Sequence, residues 1–196
     1  MNKGFTLVEI IIVLAVFSGI VLMVSFLTLD ISSFSLFFGE NLSVQQELQL
    51  SLVPMVSEVR SMGRSSTGSY PIASAAANSL IFYSDIDNDG LFEKMRYFMD
   101  GDIFKKGVIK PTGSPLTYDP TQESVYELVH YVTNFSSIFK YYDESFTGTQ
   151  VPLSFPIDVS AIRTMKASLT VDRNPNVLPG PFDFSVTASP RNIDDN

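Results

Sequence analysis

From Ile10 to Leu29 the chain runs for twenty residues without a charge. As a helix rising 1.5 Å per residue, this run spans roughly 30 Å, the thickness of a bilayer core. Lys3 precedes it and Asp30 follows it. A basic flank on the N-terminal side predicts an N-terminus in the cytoplasm, with the rest of the chain outside. A cleavable secretory signal fits less well. Its apolar region would cover about 7–15 residues and end in a small-residue cleavage site, whereas this run is longer and no such site follows. A plain anchor leaves Glu9 unexplained. A carboxylate deep in a membrane helix costs about 2.5–3.5 kcal/mol on insertion scales and usually marks function.

Composition agrees with a membrane-tethered chain. Of 196 residues only 17% are charged, and the mean hydropathy is +0.18. The 13 Lys and Arg against 21 Asp and Glu leave a net charge of −8. An acidic chain is poorly suited to nucleic acid, where affinity rests on cationic contacts to phosphate. Cysteine is absent, which excludes disulfides, thiolate metal sites and cysteine nucleophiles. His130 is the single histidine, so a multi-histidine zinc site is excluded. Asp143 and Glu144 are adjacent carboxylates, but neighbours on a strand point to opposite faces and nothing else converges on them. An enzyme is therefore the most remote of the readings left open.

The residues that open the chain are Gly4-Phe5-Thr6-Leu7-Val8-Glu9. Followed by an apolar run, they resemble the class III signal of type IV pilins and pseudopilins. The resemblance implies that a prepilin peptidase cuts after Gly4 and methylates the new amine on Phe5, so the apolar run stays in the mature protein. It also implies that Glu9 is the acidic residue used in assembly. The helix-breaking proline frequent in this family, expected near Phe26, is missing. A carboxylate in an apolar bundle needs a partner, and the Phe5 amine of a neighbouring subunit would supply one. The implied partners are other pilin or pseudopilin subunits, the peptidase and an inner-membrane assembly platform. The implied location is the bacterial inner membrane, crossed once, and then an extracellular or periplasmic filament.

Beyond the apolar run the period changes. Val44, Leu48, Leu52, Met55, Val59 and Met62 recur at spacings of three and four, which predicts one buried face of a helix. Pro54 predicts a kink near Leu50, and Met62-Gly63-Arg64 predicts the end of the helix. The expected organisation is a leader over 1–4, a membrane or filament-core helix over 5–29, its amphipathic continuation over 30–64, and a β-rich globular domain over 65–196. Short β-prone runs follow at Leu80–Tyr83, Phe92–Met99 (which alternates poorly), Ile103–Phe104, Val108–Ile109, Ile138–Tyr142, Ile162–Val171 and Phe182–Ala188. Val125–Phe135 reads as strand or short helix. Met165, Ala167, Leu169 and Val171 alternate with polar residues, as expected for one buried sheet face. The expected fold class is α+β, with the long N-terminal helix packed on an antiparallel sheet.

Two stretches suggest more. Leu80 to Gly90 with Met95-Arg96-Tyr97 is similar to the central segment of larger minor pilins. Val132-Thr133-Asn134-Phe135, Tyr141-Tyr142-Asp143 and Ser189-Pro190-Arg191-Asn192 carry the same likeness. Together they imply a minor pilin or a J-type pseudopilin. Pseudopilins of type II secretion or competence systems share the N-terminal chemistry. A tethered calcium-binding or adhesive domain that never polymerises is the more distant alternative, and it has no use for Glu9.

The second stretch contains Asp85-x-Asp87-x-Asp89-Gly90-x-x-Glu93. Oxygen ligands at alternate residues can turn toward one point, and Gly90 permits the turn, as in the first half of a calcium loop. Arg96 stands where the bidentate twelfth-position Glu would be, so a helix-loop-helix site is not expected. β-prone flanks point instead to a hairpin that Ca²⁺ would staple, hard oxygen ligands favouring it over Zn²⁺. Without metal, Asn88-Asp89-Gly90 is already a good hairpin turn. Lys105, Lys106 and Lys110 read as a basic cluster, a solvated face in preference to one that touches an acidic neighbour, and Asp100-Gly101-Asp102 reads as a turn.

Overall fold

The computed structural model describes residues 4, 6–175 and 180–191, and of residues 29–44 the backbone alone. Helix α1 covers Leu7–Arg60. The chain divides into two compact units, Met1–Ser43 and Val44–Asn196. In the first unit, the stretch Leu7–Thr28 is apolar, and none of it is buried. Ser18, Ser25 and Thr28 turn their hydroxyls back onto the carbonyls of Leu14, Val21 and Val24. Each polar group in the run is thereby satisfied within the helix, as an apolar solvent requires.

The second unit begins with the amphipathic end of α1. Leu48, Leu52, Met55, Val59 and Met62 are buried, as their spacing predicts. The Val44 side chain lies outside the described residues. The helix continues through Pro54 to Arg60, close to the predicted stop. Eight strands follow: β1 (Ile72–Ala75), β2 (Ser79–Ser84), β3 (Glu93–Asp100), β4 (Ile103–Ile109), β5 (Ser124–Val129), β6 (Phe139–Tyr142), β7 (Thr164–Val171) and β8 (Phe182–Ala188). The α+β class of helix packed on antiparallel sheet is as expected, and the strands form two sheets, β1-β2-β3-β4-β5 and β6-β7-β8, each antiparallel between neighbours. Val125–Phe135 resolves into β5 and the connection that follows it.

That connection explains the split. After β5 the chain leaves the first sheet and runs along β7. Thr133 N–H donates to the Thr170 carbonyl. The Asn134 side-chain amide donates to the Ser168 carbonyl and accepts from Thr170 N–H, taking the place of a strand backbone. Tyr131, at φ 61°, makes the bend. Ile138 and Phe139 N–H both donate to the Ala77 carbonyl in the β1–β2 turn, which ties the second sheet to the first.

One core lies between α1 and both sheets. A row of aromatic rings crosses it. Phe82 stacks with Tyr97, Tyr97 with Phe104, and Phe104 meets Phe139 at 6.2 Å, where the two sheets join. β7 alternates as expected, with Met165, Ala167, Leu169 and Val171 inward. β3, which the sequence showed as poorly alternating, alternates cleanly from Glu93 to Tyr97 once Glu93 is counted as an inward position.

Lys105 and Lys106 touch acidic neighbours, whereas Lys110 stays largely exposed. Lys105 bridges Asp100 and Glu127, and Lys106 bonds Glu58 of α1 at 2.5 Å. The buried Tyr97 hydroxyl donates to the other Glu58 oxygen at 2.6 Å. Burial, and then the nearby Glu58 carboxylate, push the Tyr97 phenol well above its ordinary pKa, so it stays a donor. This clamp fixes the rotation of α1 over the sheet. Tyr97→Phe removes one hydrogen bond to a charged group and is expected to cost about 1.5–3 kcal/mol, measured by denaturation of the full chain in detergent.

Candidate functional site

The N-terminal site is built from the first turn of α1. Thr6 precedes the helix and Glu9 lies three residues on, the spacing of a capping box. Thr6 N–H and Thr6 Oγ1–H both donate to Glu9 Oε2 at 2.9 Å. Glu9 N–H points back to Thr6 Oγ1 at 3.4 Å. The carboxylate thus occupies the positive end of the helix dipole and closes the first turn. Gly4 is exposed, and a side chain there would meet nothing within 4 Å. Phe5, the expected methylated residue, lies outside the described residues. The helix behind this turn, Leu7–Thr28, is long and apolar enough to cross a membrane.

The acidic site is the loop between β2 and β3. Asp85, Asp87 and Asp89 each place a carboxylate oxygen within 4.8 Å of the others. Asp85 accepts from the N–H groups of Asp89 and Gly90, and Asp89 accepts from Leu91 N–H. Asn88 and Gly90 both have positive φ, 59° and 87°, which turns the loop. Lys110 Nζ rests on Asp87 Oδ2 at 2.5 Å and holds that carboxyl below the usual range.

Glu93 differs from the three aspartates. It opens β3 opposite Ser84 and is 1% exposed. Its Oε2 accepts the N–H of Ile86, the residue between Asp85 and Asp87. Its Oε1 is buried with no partner. Burial raises its pKa, and the Asp87 charge adds to that. Arg96, at the twelfth loop position, lies within β3 and pairs with Glu123 through two bonds of 2.8 and 2.6 Å. It takes no part in the loop, in keeping with a strand-flanked rather than helix-flanked turn.

Sequence reasoning missed one charged group of this second unit. His130 has Nε2 at 3.1 Å from Glu127 and Nδ1 at 3.8 Å from Glu47, and Arg173 also reaches Glu47. Glu47 sits near the start of the helical part of the unit, so the group joins α1 to β5 and to the chain after β7. No local motif marks it, because its members come from three separate segments, around Glu47, Glu127 with His130, and Arg173.

Residues 1–25 match the family model of the prokaryotic N-terminal methylation motif. The chain is type IV pilin-like through this segment. Among solved structures, it is similar to a chain of the GspK-GspI-GspJ complex of the type 2 secretion system from enterotoxigenic Escherichia coli. The identity there is 10%, the TM-score 0.47, and the alignment covers 72% of this chain and 95% of that one. No curated protein matches the chain.

The loop geometry makes a local prediction. Asp85→Ala removes the acceptor of two amides and is expected to speed hydrogen exchange at Asp89 and Gly90 about tenfold, as a net loss near 1 kcal/mol implies. Asp85→Asn keeps an acceptor oxygen and should retain most of the protection, read by amide exchange in NMR spectra.

Proposed function

We propose that this chain is a structural subunit of a type IV pilus-like filament, a minor pilin, cut after Gly4 and assembled through its N-terminal helix. The observation that carries the reading is the methylation motif over residues 1–25, which takes in most of the apolar stretch Leu7–Thr28, none of it buried. A helix of this composition inside a globular protein would be covered by other elements. Among the described residues of the first unit, none of Leu7–Thr28 is buried. Lipid supplies the cover before assembly, and neighbouring copies of such helices supply it afterwards.

Cleavage after Gly4 makes Phe5 the first residue and leaves its amine one residue from Thr6. Glu9, already held at this end of the helix by Thr6, is then placed to meet the amine of an adjacent subunit. Opposite charges about 4 Å apart attract by roughly 4 kcal/mol at an effective dielectric near 20. Desolvation offsets part of that, so the pair acts chiefly by fixing the axial register of subunits. The globular unit faces outward and meets partner subunits through its surface. A pseudopilin would share this N-terminal chemistry. The resemblance of the central segment implies a minor pilin or a J-type pseudopilin alike, and either would be built into a filament through this helix.

Two measurements test it. The intact mass and N-terminal peptide of protein made with its own prepilin peptidase are expected to show a terminus at Phe5 bearing one added methyl. An uncut Met1, or a cut beyond the apolar run, would overturn the reading. Glu9→Ala is expected to be processed normally yet to lower the yield of sheared filaments roughly tenfold or more, since a net loss of about 1.4 kcal/mol per contact suffices for that. Wild-type filament yield from this variant would remove Glu9 from assembly.

A further inference from the structure

We infer that the β2–β3 hairpin is a calcium site formed by Asp85, Asp87 and Asp89, with Glu93 as a buried fourth carboxylate beneath them. The three aspartates alone would be an ordinary acidic turn. Glu93 is the independent observation. A strand position that faces the core is normally apolar, and in β3 the next inward positions are Met95 and Tyr97. Glu93 instead brings a carboxylate into a place that is 1% exposed and leaves Oε1 with no partner. A buried acceptor without a partner carries the full cost of its desolvation.

The direction of that carboxylate follows from its neighbours. Oε2 is bonded to the amide between Asp85 and Asp87, so the group lies against the backbone of the acidic loop. One step beyond the last β3–β4 pair, Lys94 with Ile109, Glu93 stands across from Lys110. Lys110 in turn reaches Asp87. Lys110 is therefore the neighbour of Glu93 in register and of Asp87 by contact, which brings Glu93 to the base of the loop that holds the aspartate cluster. Lys110 supplies the only cation that the described side chains bring to Asp87, and it reaches one of its oxygens.

The chemistry selects the ion. Every donor is a hard oxygen, and nitrogen or sulfur ligands are absent from the loop. Ca²⁺ accepts six to eight oxygens in irregular arrangements, with waters and carbonyls filling the shell, whereas Mg²⁺ demands near-octahedral order. The aspartates' bonds to backbone N–H groups do not compete, because each carboxylate oxygen has a second lone pair. Ca²⁺ would offset the repulsion among four carboxylates and give Glu93 Oε1 its missing partner.

The test is calorimetric titration of calcium chloride into the chelator-treated full chain in detergent micelles, with thermal melting alongside. One site per chain is expected, with a Kd in the range of about 0.1–1 mM usual for extracellular modules, a higher melting temperature with Ca²⁺, and much weaker binding of Mg²⁺. Asp85→Asn combined with Asp89→Asn keeps the turn acceptors and is expected to weaken binding at least about tenfold. Glu93→Gln is expected to weaken it by a similar factor while folding normally without metal, because it removes the buried charge. Lys110→Met frees an oxygen of Asp87 and is expected to tighten binding several-fold. No heat and no melting shift at millimolar Ca²⁺ would overturn the inference. So would wild-type affinity in both Glu93→Gln and the double aspartate variant. None of these readouts depends on filament assembly.

Discussion

Leu48, Leu52, Met55, Val59 and Met62 form a stripe on one side of α1, and each is at most 2% exposed. A helix face this apolar is stable only when covered, at roughly 1.5–3 kcal/mol for each large side chain taken from water. Both sheets contribute to the cover. β2, β3 and β4 bring Phe82, Met95, Tyr97 and Phe104, and β6 and β7 bring Phe139, Met165 and Leu169. The Glu58–Tyr97–Lys106 clamp then sets which way the helix is turned beneath them. The two sheets also meet directly, through Phe104 and Phe139, the Ala77 carbonyl and the Tyr141 hydroxyl bonds to Ala76 and Ser79.

The two parts of the helix are built differently. In the first unit its hydroxyls are turned onto its own backbone and its apolar side chains are bare. In the second unit its apolar side chains gather on one face, and Glu47 and Glu58 reach charged partners. A membrane needs the first arrangement, since no water is present to satisfy polar groups. A sheet-covered core needs the second. Thr6 and Glu9 close the helix at the end where a charge would otherwise stand unsupported.

Local pattern was the legible part. The stripe on α1, the alternation in β7, and the strands around Leu80–Tyr83, Ile138–Tyr142 and Phe182–Ala188 can all be read from neighbours a few residues apart. The short β1, Ile72–Ala75, went unmarked because alanine and serine carry little β preference. β3 looked irregular because a glutamate holds one of its inward positions. Lys105 and Lys106 looked solvated because Glu58 and Glu127, which pair with them, are distant in sequence. The strands divide into two sheets because Asn134 imitates backbone along β7, a role no propensity reports.

The sequence by itself determined the N-terminal chemistry: the Gly4–Glu9 motif, the uncharged run, and the capping spacing from Thr6 to Glu9. These depend on residues within a turn or two of one another, so their order alone carries them. It also placed three aspartates at alternate positions of one turn. Only the tertiary structure decided that Glu93 lies buried under that turn with an oxygen unpaired, that Lys110 reaches Asp87, and that α1 is held by Tyr97 and Lys106. Those outcomes depend on the pairing register of β2, β3 and β4 and on what α1 covers. Register is a long-range property, set by which faces the core accepts, and it decides the partners of every charge in the second unit.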